Sequence, residues 1–393
     1  MKQINYLILV LLACLMLSCN KENKNYHYEY EREDVIKIPI ENLKTDPSMM
    51  SGFDYCIIDG IETIIVYFED NKLAFFDVKK KELYHEITLP DRRLESFEYI
   101  NKDSILLLFG YPKNFDEIDH FNGLSMLDTA KLVLMDYNGN YKKYYHFNCK
   151  QSNFDNTNFT IDQILPPFTH FLFYERIKRV GDKIFFFPHQ HGYWDFENVE
   201  NNPLIAYYDL TTEKFVFSKN VKLPYTNSKM SYVTNFNVLN FDISANGMPL
   251  LRFFYSSDVF EWDYINDTLI KHSFKSQLID TTTNSIGNLD AAYSGIYYDK
   301  YNELYYSYLN FSETTYGENS GWSFIIADKN FNYINELYSP LFGSQPKFFD
   351  NKMIFYQGAE DTIYIVRGKL VKKTGDYQKE TLSTISMLEK TKH

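Results

Sequence analysis

Cysteine is scarce in this chain: four in 393 residues, two of them at Cys14 and Cys19. Only Cys56 and Cys149 remain for the folded part, which excludes a disulfide-stapled scaffold. Basic clusters are also missing. The 40 basic residues are outnumbered by 52 acidic ones, the formal charge is −12, and no basic stripe offers a nucleic-acid footprint. Long helical periodicities are few. Linear catalytic signatures are absent as well, with no nucleophile elbow, phosphate loop or zinc-protease pattern. The sequence therefore names no reaction, and no cofactor is expected.

One apolar run stands at the start. Met1 and Lys2 precede Leu7 to Leu17, and Ser18-Cys19-Asn20 and Lys21-Glu22-Asn23-Lys24 follow. The run is short and gives way abruptly to charge, so it reads as a secretory signal and not as a membrane span. A small residue just before Cys19 points to lipoprotein cleavage. Residues 1–18 are then the signal peptide, Cys19 the lipidated residue and residues 19–33 a flexible tether. Leu11-Leu12-Ala13-Cys14 also fits the cleavage pattern, but cleavage there leaves Leu15-Met16-Leu17 in the mature tail. An ordinary secreted protein is the other reading. The anchor implies the cell envelope, at the outer membrane, with the membrane as a partner through acyl chains. Each buried methylene contributes about 0.8 kcal/mol, whereas an acidic body is repelled by anionic lipid.

What is abundant is aromatic: 34 Tyr and 33 Phe. Enrichment in aromatic and β-branched residues favours β structure. From Asp34 onward one hairpin recurs, an apolar strand followed by a short polar turn and a second strand. Its instances are Leu73 to Leu89, Lys131 to Phe147, Leu204 to Leu223, Val259 to Phe274, Ser323 to Tyr338 and Thr362 to Lys373. The first five carry Asp77, Asp136, Asp209, Asp263 and Asp328 at the same place, as turn caps. Each is preceded by another hairpin whose second strand is strongly apolar, such as Ile64 to Phe68 or Ile105 to Phe109, which suits a strand covered on both faces.

Six four-stranded units at spacings of roughly 60 residues predict an all-β chain folded as a six-bladed β-propeller over residues 34–373. Seven blades is the alternative count, and a pair of β-sandwiches the alternative architecture. Asp34 to Ile40 resembles a fourth strand that closes the ring on the last blade. Residues 374–393 form a tail, with Leu382, Ile385 and Leu388 at the spacing of a short helix. Cys56 falls on an inner strand and Cys149 near the end of an outer strand of the next unit. Strands stand about 4.8 Å apart, so the pair lies beyond the ~7 Å limit for a disulfide, and two free thiols are expected.

With strands lettered A to D from the axis outward, the A–B and C–D turns are short and the B–C and D–A connections long. All long connections then leave from one face, where binding sites commonly sit. The densest cluster there is Pro188-His189-Gln190-His191-Gly192-Tyr193-Trp194-Asp195-Phe196-Glu197. In an extended segment His189 and His191 point the same way, as two ligands of one metal do. Asp195 or Glu197 offers an added oxygen, but without a definite third ligand the segment reads first as a hydrogen-bonding loop. Tyr193, Trp194 and Phe196 offer a stacking platform for sugar rings, with Tyr111, Tyr316 and Trp322 on neighbouring loops and Asp195 as a polar partner. A catalytic site needs converging charges, for which Glu175, Arg176, His170, Asp116, Glu117 and Asp119 are available. The reading favoured is a binding or scaffold module for a glycan, a peptide or an envelope protein. A pure protein scaffold and a hydrolase or lyase with a metal at His189 and His191 are the alternatives.

The start Leu17-Ser18-Cys19-Asn20-Lys21-Glu22, the opening strand Ile36-Lys37-Ile38-Pro39-Ile40 and the hairpins of the Tyr207-Tyr208-Asp209-Leu210 type resemble one group of lipoproteins. These are the Bacteroidetes-type, propeller-like proteins called domain of unknown function 4221. The resemblance covers nearly the whole mature length. It implies a cell-envelope propeller and carries no catalytic residues. It also implies company with nutrient-uptake systems, for which glycan or peptide capture is the expected role.

Overall fold

A computed structural model describes residues 26–40, 50–68, 71–90, 92–112, 131–146, 178–186, 205–221, 240–253, 256–277, 291–311, 321–339, 346–359 and 362–375. Every regular element in them is a β-strand, and the strands form six antiparallel sheets of four. The first blade is β2 (Met50–Ile58), β3 (Ile61–Phe68), β4 (Lys72–Asp77) and β5 (Glu82–Thr88). The second is β6 (Arg92–Asn101), β7 (Ser104–Pro112), β8 (Lys131–Met135) and β9 (Tyr141–His146). The third is β10 (Lys178–Val180), β11 (Lys183–Phe186), β12 (Ala206–Asp209) and β13 (Lys214–Phe217). The fourth is β14 (Asn240–Ile243), β15 (Pro249–Arg252), β16 (Asp258–Asp263) and β17 (Thr268–Ser273). The fifth is β18 (Ala291–Asp299), β19 (Leu304–Phe311), β20 (Gly321–Asp328) and β21 (Tyr333–Ser339). The sixth is β22 (Lys347–Phe349), β23 (Lys352–Ala359), β24 (Thr362–Thr374) and, from the other end of the chain, β1 (Tyr26–Pro39). This is a six-bladed β-propeller, as the repeat predicts.

Side-chain alternation explains the long apolar runs. On β7, Ile105, Leu107 and Phe109 pack toward the first blade, while Leu106 and Leu108 pack toward the third. A strand buried on both faces has no reason to alternate polar and apolar residues. The buried side chains sort into six clusters, one at each junction between neighbouring blades. Aromatic rings fill these wedges. Tyr306 stacks between Phe324 and Phe348 at 4.9 and 5.1 Å between centroids, joining the fifth blade to the sixth.

The recurring aspartates cap turns. Asp77 Oδ1 accepts from the backbone N–H of Lys79 and Lys80, and Asp136 from Asn138 and Asn140. Asp209, Asp263 and Asp328 repeat the pattern. The sixth unit has no such aspartate because it has no such turn. Thr362 to Lys373 is not a hairpin but part of the single strand β24, and its outer neighbour is β1. The closing strand also begins at Tyr26 and not at Asp34. Tyr26↔Thr374 to Arg32↔Gly368 are paired, so residues 26–33 of the expected tether belong to the sheet. The alternation Tyr26, Tyr28, Tyr30 is that of a strand, masked in the sequence by the charges between.

The closure is held at both ends. Arg367 donates from Nε and Nη2 to the two oxygens of Asp34 on β1, at 2.9 and 2.5 Å, and from Nη1 to Glu62 on β3 at 2.7 Å. It thus ties the last blade to the first. Asn335 on β21 brackets the backbone of Tyr28, accepting from its N–H at 3.0 Å and donating to its carbonyl at 2.9 Å. Gly368, read from sequence as a turn, makes room for a ring: a Cβ there would collide with the Tyr30 side chain. Gly368→Ala is expected to cost about 1–3 kcal/mol by overpacking, seen as a lower thermal midpoint. An unchanged midpoint would show that the Tyr30 ring swings clear.

Cys56 on β2 is half-buried and in no disulfide, and burial raises its thiol pKa. Cys149 lies outside the described residues.

Candidate functional site

In each complete meander the A–B and C–D turns fall at one end and the B–C and D–A connections at the other. The turn end is tied together directly. Lys329 meets Glu303 at 3.1 Å, Lys142 meets Asp103 at 3.2 Å, and Thr211 donates to Asp182 at 3.3 Å, each linking a C–D element to an A–B turn.

His189, His191, Tyr193, Trp194, Asp195 and Tyr316 lie outside the described residues, as do Cys19 and the charged set Asp116, Glu117, Asp119, His170, Glu175 and Arg176. Tyr111 sits near the end of β7 in the second blade, and Trp322 near the start of β20 in the fifth. Blades two and five of six stand opposite each other on the ring. These two positions are therefore in opposite blades and not on neighbouring loops. Among the described residues no three His, Cys, Asp or Glu side chains gather as metal ligands.

The structure brings a different set together. The first strands of neighbouring blades approach one another around the axis. Five of the six carry a charge within a few residues of the A–B turn: Asp54 on β2, Glu98 on β6, Lys178 on β10, Asp242 on β14 and Lys347 on β22. Lys347 Nζ lies 3.7 Å from Asp54 and Lys178 Nζ lies 3.3 Å from Asp242. Tyr298 on β18 donates its N–H to Asp242 at 2.9 Å. Glu98 is the odd member. Its Oε2 is buried and has no hydrogen-bond partner among the described residues. Burial raises its carboxyl pKa and Asp54 adds to the rise, while Lys178, Arg179 and Lys347 oppose it. A buried acceptor without a donor carries a free-energy cost that a ligand donor relieves.

The inner-strand acids had a signal in the sequence that the hairpin repeat obscured. Phe53-Asp54-Tyr55, Phe97-Glu98-Tyr99 and Phe241-Asp242-Ile243 place an acid between apolar neighbours in three blades. The period-2 alternation that packs Phe and Tyr into the wedges leaves the acid facing otherwise.

Two buried groups brace the loop end. Arg252, at the end of β15, is fully buried. It donates to the carbonyls of Ser257 and Phe274 at 3.2 and 3.0 Å and lies 3.6 Å over the Tyr293 ring. Glu336 on β21, equally buried, accepts from Ser276 and Ser323 and from the N–H of Gln277. Both fix the chain where it leaves the fourth blade.

No protein-family model matches the sequence, and no curated protein matches it. A solved structure does: a crystal structure of a member of the DUF4221 family from Bacteroides vulgatus. It superposes with a TM-score of 0.61 at 14% identity, covering 90% of this chain and 100% of that one. At that identity the likeness speaks to fold alone, and a fold by itself assigns no role. The chain thus shares its propeller fold with a member of the family its sequence resembles.

Proposed function

We propose that the protein is a binding module of the cell envelope, held at the outer membrane by a lipid on Cys19, which takes a peptide ligand at the layer of charges around the propeller axis. The observation that carries this is the axial layer of Asp54, Glu98, Lys178, Asp242 and Lys347, with one Glu98 oxygen that has no donor among the described residues. Charges of both signs on one ring favour a ligand that itself carries both signs. A peptide does; a neutral glycan does not. The ammonium or guanidinium of the ligand would donate to Glu98, a charge-assisted hydrogen bond.

The test is a thermal-shift screen of the purified protein against peptides and oligosaccharides. A ligand at a hundredfold its dissociation constant stabilises by about 2.7 kcal/mol. A peptide class is expected to raise the midpoint, and Glu98→Gln to weaken that response at least tenfold. A shift with neutral sugars alone, or one that Glu98→Gln leaves intact, would overturn the axial reading. A flat response across the panel would favour a protein scaffold instead.

A further inference from the structure

The way the ring closes decides where the chain enters the propeller. β1 runs antiparallel to β24, with Tyr26 opposite Thr374 and Pro39 opposite Thr362. Thr362 follows the β23–β24 connection at the loop end, so Tyr26 lies at the turn end. The two strands also run on past β23, whose last partner on β24 is Gly368. The chain therefore enters as a ribbon at the turn end, on the side away from the long connections.

This has a consequence for an anchored protein. From Cys19 to Tyr26 there are seven residue steps, a reach of at most about 25 Å. An eight-residue strand such as β19 is itself about 26 Å long. The tether is too short to carry the loop end down to the bilayer.

The side chains of the turn end agree with the topology. Five large hydrophobic side chains are exposed among the described residues. Three of them are at this end: Ile57 beside the β2–β3 turn, Ile265 in the β16–β17 turn and Tyr301 in the β18–β19 turn. Ile265 is 82% exposed. Turn tips ordinarily carry small polar residues, and an isoleucine there has no folding role to explain it. The charges at this end are largely paired with one another, as in Lys102 with Asp59, Lys142 with Asp103 and Lys329 with Glu303. Contact with lipid there would not depend on anionic headgroups.

We infer that the turn end is the membrane-facing surface, with Ile57, Ile265 and Tyr301 meeting the lipid interface, and that the loop end points away from the bilayer. This rests on the anchor at Cys19 proposed above. The long connections of the loop end then face the compartment the protein surveys.

The test uses the full lipoprotein reconstituted through its own anchor into phosphatidylcholine vesicles that carry a nitroxide quencher at the headgroup. A fluorophore is attached at Ile265→Cys or at Lys275→Cys, an exposed position beyond the loop end of β17, in a Cys56→Ser, Cys149→Ser background checked by its thermal midpoint. Quenching at position 265 is expected to exceed that at position 275 several-fold. Equal quenching, or stronger quenching at 275, would overturn the orientation. Flotation of the unlabelled protein with vesicles and the mass of its mature N-terminal peptide report the anchor separately. A protein that floats and is acylated but shows the reversed pattern refutes the orientation alone. One that carries no acyl group and does not float refutes the anchor, and with it the orientation.

Discussion

Removing residues 1–40, and with them β1, is expected to leave a chain that does not form the propeller, whereas removal of residues 1–25 is expected to leave a soluble protein with one cooperative melt. The contrast isolates the closing strand. β1 and the residue after it bury Ile36, Ile38 and Ile40 against the first and last blades, at 6%, 0% and 2% exposure. At about 2 kcal/mol for each buried side chain, these three account for about 6 kcal/mol, set against a net stability of only about 5–15 kcal/mol. Its loss also leaves the edge of β24 open for pairing with other chains and strips Arg367 of Asp34 and Asn335 of the Tyr28 backbone. Size-exclusion chromatography and circular dichroism of the two truncations decide the matter. A monomeric, cooperatively melting chain that begins at residue 41 would show that the ring closes without β1.

Alkali is expected to unfold the protein steeply above pH 10. Burial raises the phenol pKa of Tyr306, Tyr308 and Tyr356 from the ordinary value of 10.0. The folded state keeps those protons at a pH where the unfolded chain has lost them. Their contribution is fully present below pH 10 and is lost as pH climbs toward the folded values. Each such group removes about 1.4 kcal/mol per pH unit between its unfolded and its folded value, and the three act together. Arg252 acts the other way, since burial pushes its pKa down, but a guanidinium holds its proton through this range. One group does not offset three. Tyrosinate absorbance followed with far-ultraviolet circular dichroism against pH provides the readout, with a block of tyrosines expected to ionise together with loss of sheet. Smooth ionisation of all tyrosines near pH 10 with the sheet intact would refute the argument.

Much of the fold is legible in the sequence because its causes are local. Runs such as Ile105 to Phe109 are apolar throughout because each residue faces one blade or the other. Asp77 and its four counterparts mark hairpins because a carboxylate caps a turn two or three residues ahead. Even the absence of a sixth aspartate carried information: where no turn joins the third and fourth strands, no cap is needed. The polar Arg367-Gly368 pair nevertheless reads as a turn, since nothing nearby in sequence shows that Gly368 faces the Tyr30 ring or that Arg367 meets Asp34, more than 300 residues away.

The candidate site follows the same division. The aromatic and histidine cluster at residues 188–197 stood out because it is dense along the chain. The axial charges did not, because no inner strand contributes more than one. Asp54, Glu98, Lys178, Asp242 and Lys347 are unremarkable singly and become a layer only when the strands stand around one axis. The placement of Tyr111 and Trp322 in opposite blades is likewise a fact of the ring.

By itself, then, the sequence determined the strand class, the number of blades and the capped turns, since alternation and turn chemistry act over a few residues. Tertiary structure alone decided how the ring closes, which charges meet at the axis and from which end the chain enters. Those depend on pairing between distant segments, whose free energy appears only when both partners are in place.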